Sequence, residues 1–147
     1  MSGVYAVYKN QFKIGTAGRN STAEQMVPIA DMESFSVSVD NGREEWTPME
    51  TEGWARGLIT GKKMTISLNG KRHIGDAGND YVAGLLMASG QDAKSVLEWT
   101  FPDSTVVKIP VDISVTNCGT GDSTGVGPLE FECNSDGKPD VTLPAEG

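Results

Sequence analysis

Residues 32–69 read MESFSVSVDNGREEWTPMETEGWARGLITGKKMTISLN, and this stretch decides the fold. At its two ends, in residues 32–40 and 62–69, apolar and polar residues alternate as they do in half-buried β-strands. Between the two ends, residues 40–61 are too polar for a core and too long for a hairpin turn. We therefore predict two strands joined by a long loop, which is called the arm below.

The arm carries two tryptophans among a group of acids. Its first residues, Asn41 and Gly42, predict a turn, and Asn69 with Gly70 predicts another after the second strand. Compact domains seldom contain a connection this long without a use for it, and large aromatics in a polar segment indicate a surface that a partner buries. We predict that the arm docks on another copy of the protein. The residues expected to make this contact are Glu44, Glu45, Trp46, Glu50, Glu52 and Trp54.

Further strands are predicted on either side of this stretch. Residues 95–101, 105–117 and 129–133 each place apolar side chains on one face and polar ones on the other. Pro110 indicates a bulge, a bend or an edge position in the second of these strands. A short strand at 27–30 contains a proline and suits a sheet edge.

One amphipathic helix is predicted at residues 75–89. Asn79 is the expected N-cap and Gly90 the residue that ends the helix. Its apolar stripe consists of Tyr81, Val82, Leu85 and Leu86. A short amphipathic helix must lie on something apolar, most simply the back of the sheet.

These elements predict a mainly β (α+β) fold in a single domain, residues 1–147. The fold is an antiparallel β-sandwich or partly closed barrel with one flanking helix and the arm. Residues 1–25 are weakly patterned and are expected to be a flexible N-terminal segment, in which Tyr5, Val7, Phe12 and Ile14 indicate one or two short strands. Residues 135–147 are expected to be a poorly ordered polar tail.

The net charge of −8 argues against binding DNA in a basic groove, although it also serves solubility. No stretch approaches the roughly 20 apolar residues of a membrane span, and we expect no signal peptide. The two cysteines, Cys118 and Cys133, have neither metal-ligand nor disulfide-framework spacing and are predicted to be reduced thiols. They could face each other across neighbouring strands.

The sequence lacks a pattern for catalysis. Its one histidine, His73, lies in a basic turn and is expected to be solvated. The glycine-rich residues 119–128 have no phosphate-loop pattern. The acids of the arm suit docking better than acid–base chemistry or calcium binding. We expect no catalytic residue, no cofactor and no bound metal.

The strands have regular polar faces made of short or acidic side chains. Such a face resembles an ordinary solvated sheet, but it contains few Lys and Arg side chains and suits a smooth acidic wall. The residues are Ser34, Ser36, Ser38, Asp40, Asp112, Ser114, Thr116, Glu130 and Glu132.

Six segments resemble those of a known family in their order along the chain and in their residue patterns. The segments are strand 32–40, REEWTPMETEGWARGLITGKK (43–63), MTISLNG (64–70), NDYVAGLLMA (79–88), SVLEWTFPDST (95–105) and VVKIPVDISVTN (106–117). With them, the chain resembles the major tail protein, or tail tube protein, of long-tailed bacteriophages of the non-contractile type. The resemblance covers roughly residues 12–134.

This resemblance implies a structural virion protein made in the host cytoplasm. Six copies would form a ring by joining sheets edge to edge, and rings would stack into a hollow tail tube. Its partners would be copies of itself, the tape-measure protein and tail-tip or terminator proteins, with DNA only in transit. The arm would contact the next ring. The lumen would be lined by Ser34, Ser36, Ser38, Asp40, Glu130 and Glu132.

A second function stays open. A β-sandwich that displays a tryptophan-bearing arm could be an adhesion module that binds a carbohydrate or a receptor. The sequence does not distinguish a phage tail from a tail-like bacteriocin or another injection device. Concentration-dependent assembly separates a tube protein from an adhesion module.

Overall fold

The computed structural model describes residues 3–143 of the chain. Within that range the chain forms eight strands and one α-helix, joined by 3-10 turns and loops. The strands are β1 (Gln11–Gly15), β2 (Met26–Pro28), β3 (Met32–Trp46), β4 (Arg56–Lys71), β5 (Lys94–Thr100), β6 (Val106–Cys118), β7 (Pro128–Ser135) and β8 (Asp140–Thr142). The helix, α1, is Ala77–Ala83. The predicted mainly β fold with a flanking helix is confirmed.

All the strands belong to one antiparallel sheet, in the order β2-β1-β5-β6-β7-β4-β3. β8 continues the direction of β7 and pairs with the start of β6. The sheet curls so far that Phe12 of β1 meets Phe35 of β3, with ring centroids 4.8 Å apart. Trp99 of β5 packs against both rings. Strand β1, next to the edge strand β2, thus contacts β3 at the opposite edge through side chains, and among the described residues no strand pairing closes the sheet.

The core lies on the concave face of this sheet. Its buried side chains come from every strand between the two edges of the sheet, and they alternate along each strand as the sequence predicts. The largest of them are Phe131, Ile14, Ile66, Leu68, Leu97, Ile109 and Leu129. The helix lies against β1, β2 and β6 and places Val82 in the same core.

Pro110 lies in the middle of β6, between two neighbouring strands. Its carbonyl oxygen accepts a hydrogen bond from the backbone nitrogen of Asp136, at 2.8 Å, on the side of β7 and β8. In an antiparallel ladder the N–H and C=O of one residue point to the same neighbour. The missing N–H of Pro110 therefore falls where β7 ends at Ser135 and before β8 begins at Asp140, so no ladder bond is lost there.

Both terminal segments contain a strand. In residues 1–25, where Phe12 and Ile14 indicated a short strand, β1 pairs with β2 and β5 and buries Ile14. In the predicted polar tail, β8 pairs with the start of β6. The flexibility of the two segments stays a prediction. Residues 1–2 and 144–147 lie outside the described range.

The helix is shorter than predicted, and its N-cap lies three residues before the predicted N-cap. Its N-cap is Asp76, whose carboxylate accepts from the backbone nitrogen of Asn79 at 3.0 Å. The last helical residue is Ala83, so the predicted end at Gly90 is wrong, and Gly90 instead starts a 3-10 turn. Residues 85–88 continue as tight turns, which keep part of the apolar stripe on the core.

Asn79 is a buried polar side chain inside the helix, where the sequence predicted an N-cap. Its amide nitrogen donates to the carbonyls of Ala30 and Lys71, both at 3.0 Å. Its amide oxygen accepts from the Arg72 guanidinium at 2.9 Å and from the His73 backbone at 3.0 Å. One side chain thus joins the helix, the end of β4 and the loop before β3.

A second polar cluster holds the chain after β7 against the body. Asp136 accepts from the Lys94 ammonium at 2.5 Å and from the Arg19 guanidinium at 2.8 Å. The Lys94 ammonium also contacts Asp112 at 3.1 Å. The hydrogen bond from Lys94, and then that from Arg19, lower the pKa of Asp136 below its usual value.

Candidate assembly surface

The arm is a continuation of β3 and β4, not a loop. The two strands stay paired from Asp40 opposite Lys63 out to Trp46 opposite Arg56, with one register shift between Gly42 and Arg43. The predicted turn at residues 41–42 is wrong, because pairing continues through it with a bulge. The predicted turn at 69–70 is wrong as well, since β4 runs on to residue 71. An Asn-Gly pair favours a turn, but here the backbone on both sides of each pair is hydrogen-bonded to a neighbouring strand instead.

The end of this hairpin, residues 47–55, is called the tip. It contains a 3-10 turn, Met49–Thr51. The hydroxyl of Thr51 donates to the carbonyl of Trp54 at 2.7 Å, and the backbone nitrogen of Trp54 donates to the carbonyl of Thr51 at 3.1 Å. Glu52 takes a left-handed conformation, with φ of 53°, which turns the chain back. The tip is therefore held in one shape by its own hydrogen bonds.

All six residues predicted to make the docking contact are exposed on the arm. Trp46 is 46% exposed and Trp54 is 79% exposed. The sequence reading missed Met49, which is 97% exposed, and two further apolar residues on β4, Leu58 and Ile59. Leu58 and Ile59 are adjacent apolar residues in an otherwise polar segment, and this pattern could have identified them.

The arm has two faces because successive side chains of a strand point to opposite sides. Trp46 and Leu58 share one face by their register. Arg43 and Ile59 share the other, where the guanidinium of Arg43 pairs with the carboxylate of Glu45. Both faces are open to solvent, so the arm has no core of its own.

The register places all six predicted lumen residues on one face of the sheet, opposite the core. Ser36 of β3 lies beside Ser67 of β4, which lies beside Glu132 of β7. The six are Ser34, Ser36, Ser38 and Asp40 of β3 with Glu130 and Glu132 of β7. The helix packs at the core face and leaves this polar face uncovered. Whether the face lines a lumen stays a prediction.

Cations share this polar face, contrary to the picture of a purely acidic wall. Lys63 lies opposite Asp40 in register, and Lys108 of β6 points to the same side. On β3, β4 and β7 this face carries Asp40 and the two glutamates of β7 together with Lys63, and Lys71 lies at the end of β4, where it pairs with Glu33 at 2.9 Å. The face is polar throughout and acidic at its centre.

The histidine and the two cysteines, side chains often used in catalysis, have the following surroundings. His73 pairs with Asp31 at 2.5 Å on the surface. The cysteines are free thiols on neighbouring strands but are not opposite each other, since Cys133 pairs with Ile113. Burial raises the pKa of the Cys133 thiol. Among residues 3–143, no group of His, Cys, Asp and Glu could hold a metal ion, and no helix there is long and apolar enough to span a membrane.

Comparison with known proteins finds the fold but not a sequence family. No family model and no curated protein matches the chain. A chain from the tail of an empty gene transfer agent particle, determined with C6 symmetry, is 18% identical, with a TM-score of 0.76. That match covers 95% of this chain and 100% of the other.

Chains from contractile injection systems share the fold as well. One from the extended sheath-tube complex of an extracellular contractile injection system is 12% identical, with a TM-score of 0.62, covering 98% of this chain and 95% of the other. One from the tube-terminating cap of the anti-feeding prophage is also 12% identical, with a TM-score of 0.65, covering 98% and 94%. At these identities the comparisons establish a common fold.

Proposed function

We propose that this protein is a structural, tube-forming component of a phage-like tail, in which hexameric rings stack into a hollow tube that DNA passes through. The observation that carries this proposal is the match in fold, over 95% of this chain and 100% of the other, to a chain in a tail with C6 symmetry. Since chains from contractile systems share the fold too, assignment to the non-contractile type rests on the sequence resemblance alone.

The edges of the sheet support ring formation. Strand β3 is the last strand of the sheet, and within residues 3–143 no strand pairs with its outer edge. The strand has 15 residues, a long edge for a protein to leave open. Exposed edges pair readily with other chains. Joining the β3 edge of one copy to the opposite end of the next sheet would satisfy these groups and close a ring.

The arm supports contact between rings. It carries exposed apolar side chains beyond the body, in a hairpin without a core. Contacts between different surfaces on two copies repeat without limit unless they close into a ring. The arm of one ring therefore docks on the next ring, with Trp46 and Trp54 as its aromatic anchors.

The polar face supports passage of DNA. Short hydroxyl side chains and carboxylates offer phosphate few cationic contacts, so a lumen lined by them would not retain DNA. Further partners in this role are the tape-measure protein and the tail-tip and terminator proteins. The protein would be located in the virion tail and would have no enzymatic activity.

Negative-stain electron microscopy of the concentrated protein, across salt and pH and with tail-tip and tape-measure components added, tests the proposal. Six-fold rings or hollow tubes of uniform diameter are the expected result. A helical reconstruction should then place Ser36 and Glu132 at the lumen. A discrete monomer under every one of these conditions would overturn the tube and favour the adhesion module.

The role of the arm is tested by replacing Glu44, Glu45 and Trp46 with alanine. The variant should fold normally and fail to polymerise, because only exposed contact groups are removed. Met87→Ala is the matched control, since Met87 is 91% exposed and lies away from the arm. Tubes of normal length from the triple variant would show that the arm does not make the contact between rings.

A further inference from the structure

A groove lies at the base of the arm, on the same side of the sheet as the core. It has a volume of about 470 Å³. The apolar part of its lining comes from Val39 of β3, Met64 of β4, and Pro139 and Val141 near β8. The pairing of β4 with β7 ends at Thr65 opposite Asn134, and the groove lies just beyond this point, between the base of the arm and the start of β8. The apolar stripe of the core thus continues past the end of the packed body.

Two lysines flank this groove. Lys62 and Lys138 both line it and are both exposed. The ammonium of Lys62 donates to the Asn41 side chain at 2.9 Å. Among the described residues, neither lysine forms an ion pair. The two acids nearest to Lys138 along the chain are engaged elsewhere. Asp136 pairs with Arg19 and Lys94, and Asp140 pairs in register with Lys108 and so points to the opposite face of the sheet.

The tip of the arm has the complementary chemistry. Its exposed apolar side chains are Met49 and Trp54. Glu50 and Glu52 beside them are exposed, and neither has an ion-pair partner within residues 3–143. Opposite charges on two surfaces steer their encounter and fix their register, while the apolar side chains supply most of the affinity.

The tip cannot fill the groove of its own chain. Trp46 is six residues beyond Asp40 in a continuously paired strand, which is roughly 20 Å at about 3.3 Å per residue. The hydrogen-bonded hairpin holds the tip at that distance from its own base. A tip that binds in this groove must therefore belong to another copy of the protein.

From these observations we infer that the tip of one copy binds in the groove of a second copy. Met49 and Trp54 enter the apolar floor, and Glu50 and Glu52 face Lys62 and Lys138. This inference rests on the proposed function, in which the arm contacts another copy, and names the surface that receives it.

Disulfide cross-linking locates the contact. Full-length Met49→Cys and Val141→Cys variants, one of them carrying an affinity tag, are mixed at assembly concentration and oxidised. We expect the mixed cross-link at least ten-fold above that between Met49→Cys and Met87→Cys. Met87 is as exposed as Met49 but lies outside the groove.

Charge reversal tests the same contact by function. A groove variant with Lys62→Glu and Lys138→Glu, and a tip variant with Glu50→Lys and Glu52→Lys, should each fail to assemble alone. An equimolar mixture should assemble, because each tip then meets a groove of opposite charge. Lys63→Glu is the matched control, since Lys63 neighbours Lys62 but points to the opposite face of β4.

The outcomes separate this inference from the tube itself. Wild-type tubes without the selective cross-link, or without rescue in the mixture, overturn the inference and leave the tube standing. The selective cross-link without tubes supports the contact and overturns the tube. If neither tubes nor the selective cross-link form, the tube and the inferred contact are both overturned.

Discussion

The body and the arm are parts of the same two strands, β3 and β4, in opposite surroundings. In the body, β4 buries Ile66 and Leu68 between β3 and β7 and under the rest of the core. In the arm, the same strand carries Leu58 and Ile59 in the open. A two-stranded hairpin is at best marginally stable by itself in water. The body therefore has a core of its own, whereas the arm has none.

The largest expected effect is in the body. Phe131 is fully buried at the centre of the core, so Phe131→Ala should lower the free energy of unfolding by about 3–5 kcal/mol through lost burial and a cavity. Urea denaturation followed by far-UV circular dichroism measures it. A loss below about 1 kcal/mol would show that the core does not pack as described.

Removing the buried amide of Asn79 should have the next largest effect. Asn79→Ala leaves the carbonyls of Ala30 and Lys71 without their partner, and we expect a loss of about 2–4 kcal/mol. Asn41→Ala is the control, because Asn41 lies on the exposed arm and should change stability by less than about 0.5 kcal/mol. Equal losses in both variants would contradict the role given to Asn79.

The cluster at Asp136 makes stability depend on pH. The folded-state pKa of Asp136 is lowered, chiefly by the hydrogen bond from Lys94. Its stabilising contribution is therefore full above the unfolded pKa of about 3.9 and is lost as the pH falls below it. Thermal unfolding between pH 7 and pH 3 should show a smaller decrease for Asp136→Asn than for the wild type. Identical pH profiles would show that the ion pairs contribute nothing.

The smallest effect on stability should come from the arm. Trp54 is exposed, and Trp54→Ala should change the free energy of unfolding by less than about 0.5 kcal/mol. The same variant should lose assembly in electron microscopy. A large loss of stability would mean that Trp54 packs within its own chain, and the contrast between body and arm would fail.

The periodic strands were predictable, and the arm was not. Alternation in β5, β6 and β7 has one buried face and one polar face, which the sequence displays directly. The arm has no buried face, so pairing of β3 with β4 leaves no periodic signal there, and Asn41-Gly42 wrongly predicted a turn. The exposed residues of the arm could be predicted from their chemistry, and their docking stays a prediction. The groove could not be predicted, because Met64 and Val141 meet only through the fold.

Tip and groove are different surfaces at opposite ends of one hairpin. A stack held together by them has a direction: one end presents empty grooves and the other presents unoccupied tips. Growth and termination would then be chemically distinct events. A protein that starts the stack must imitate one surface, and a protein that caps it must imitate the other.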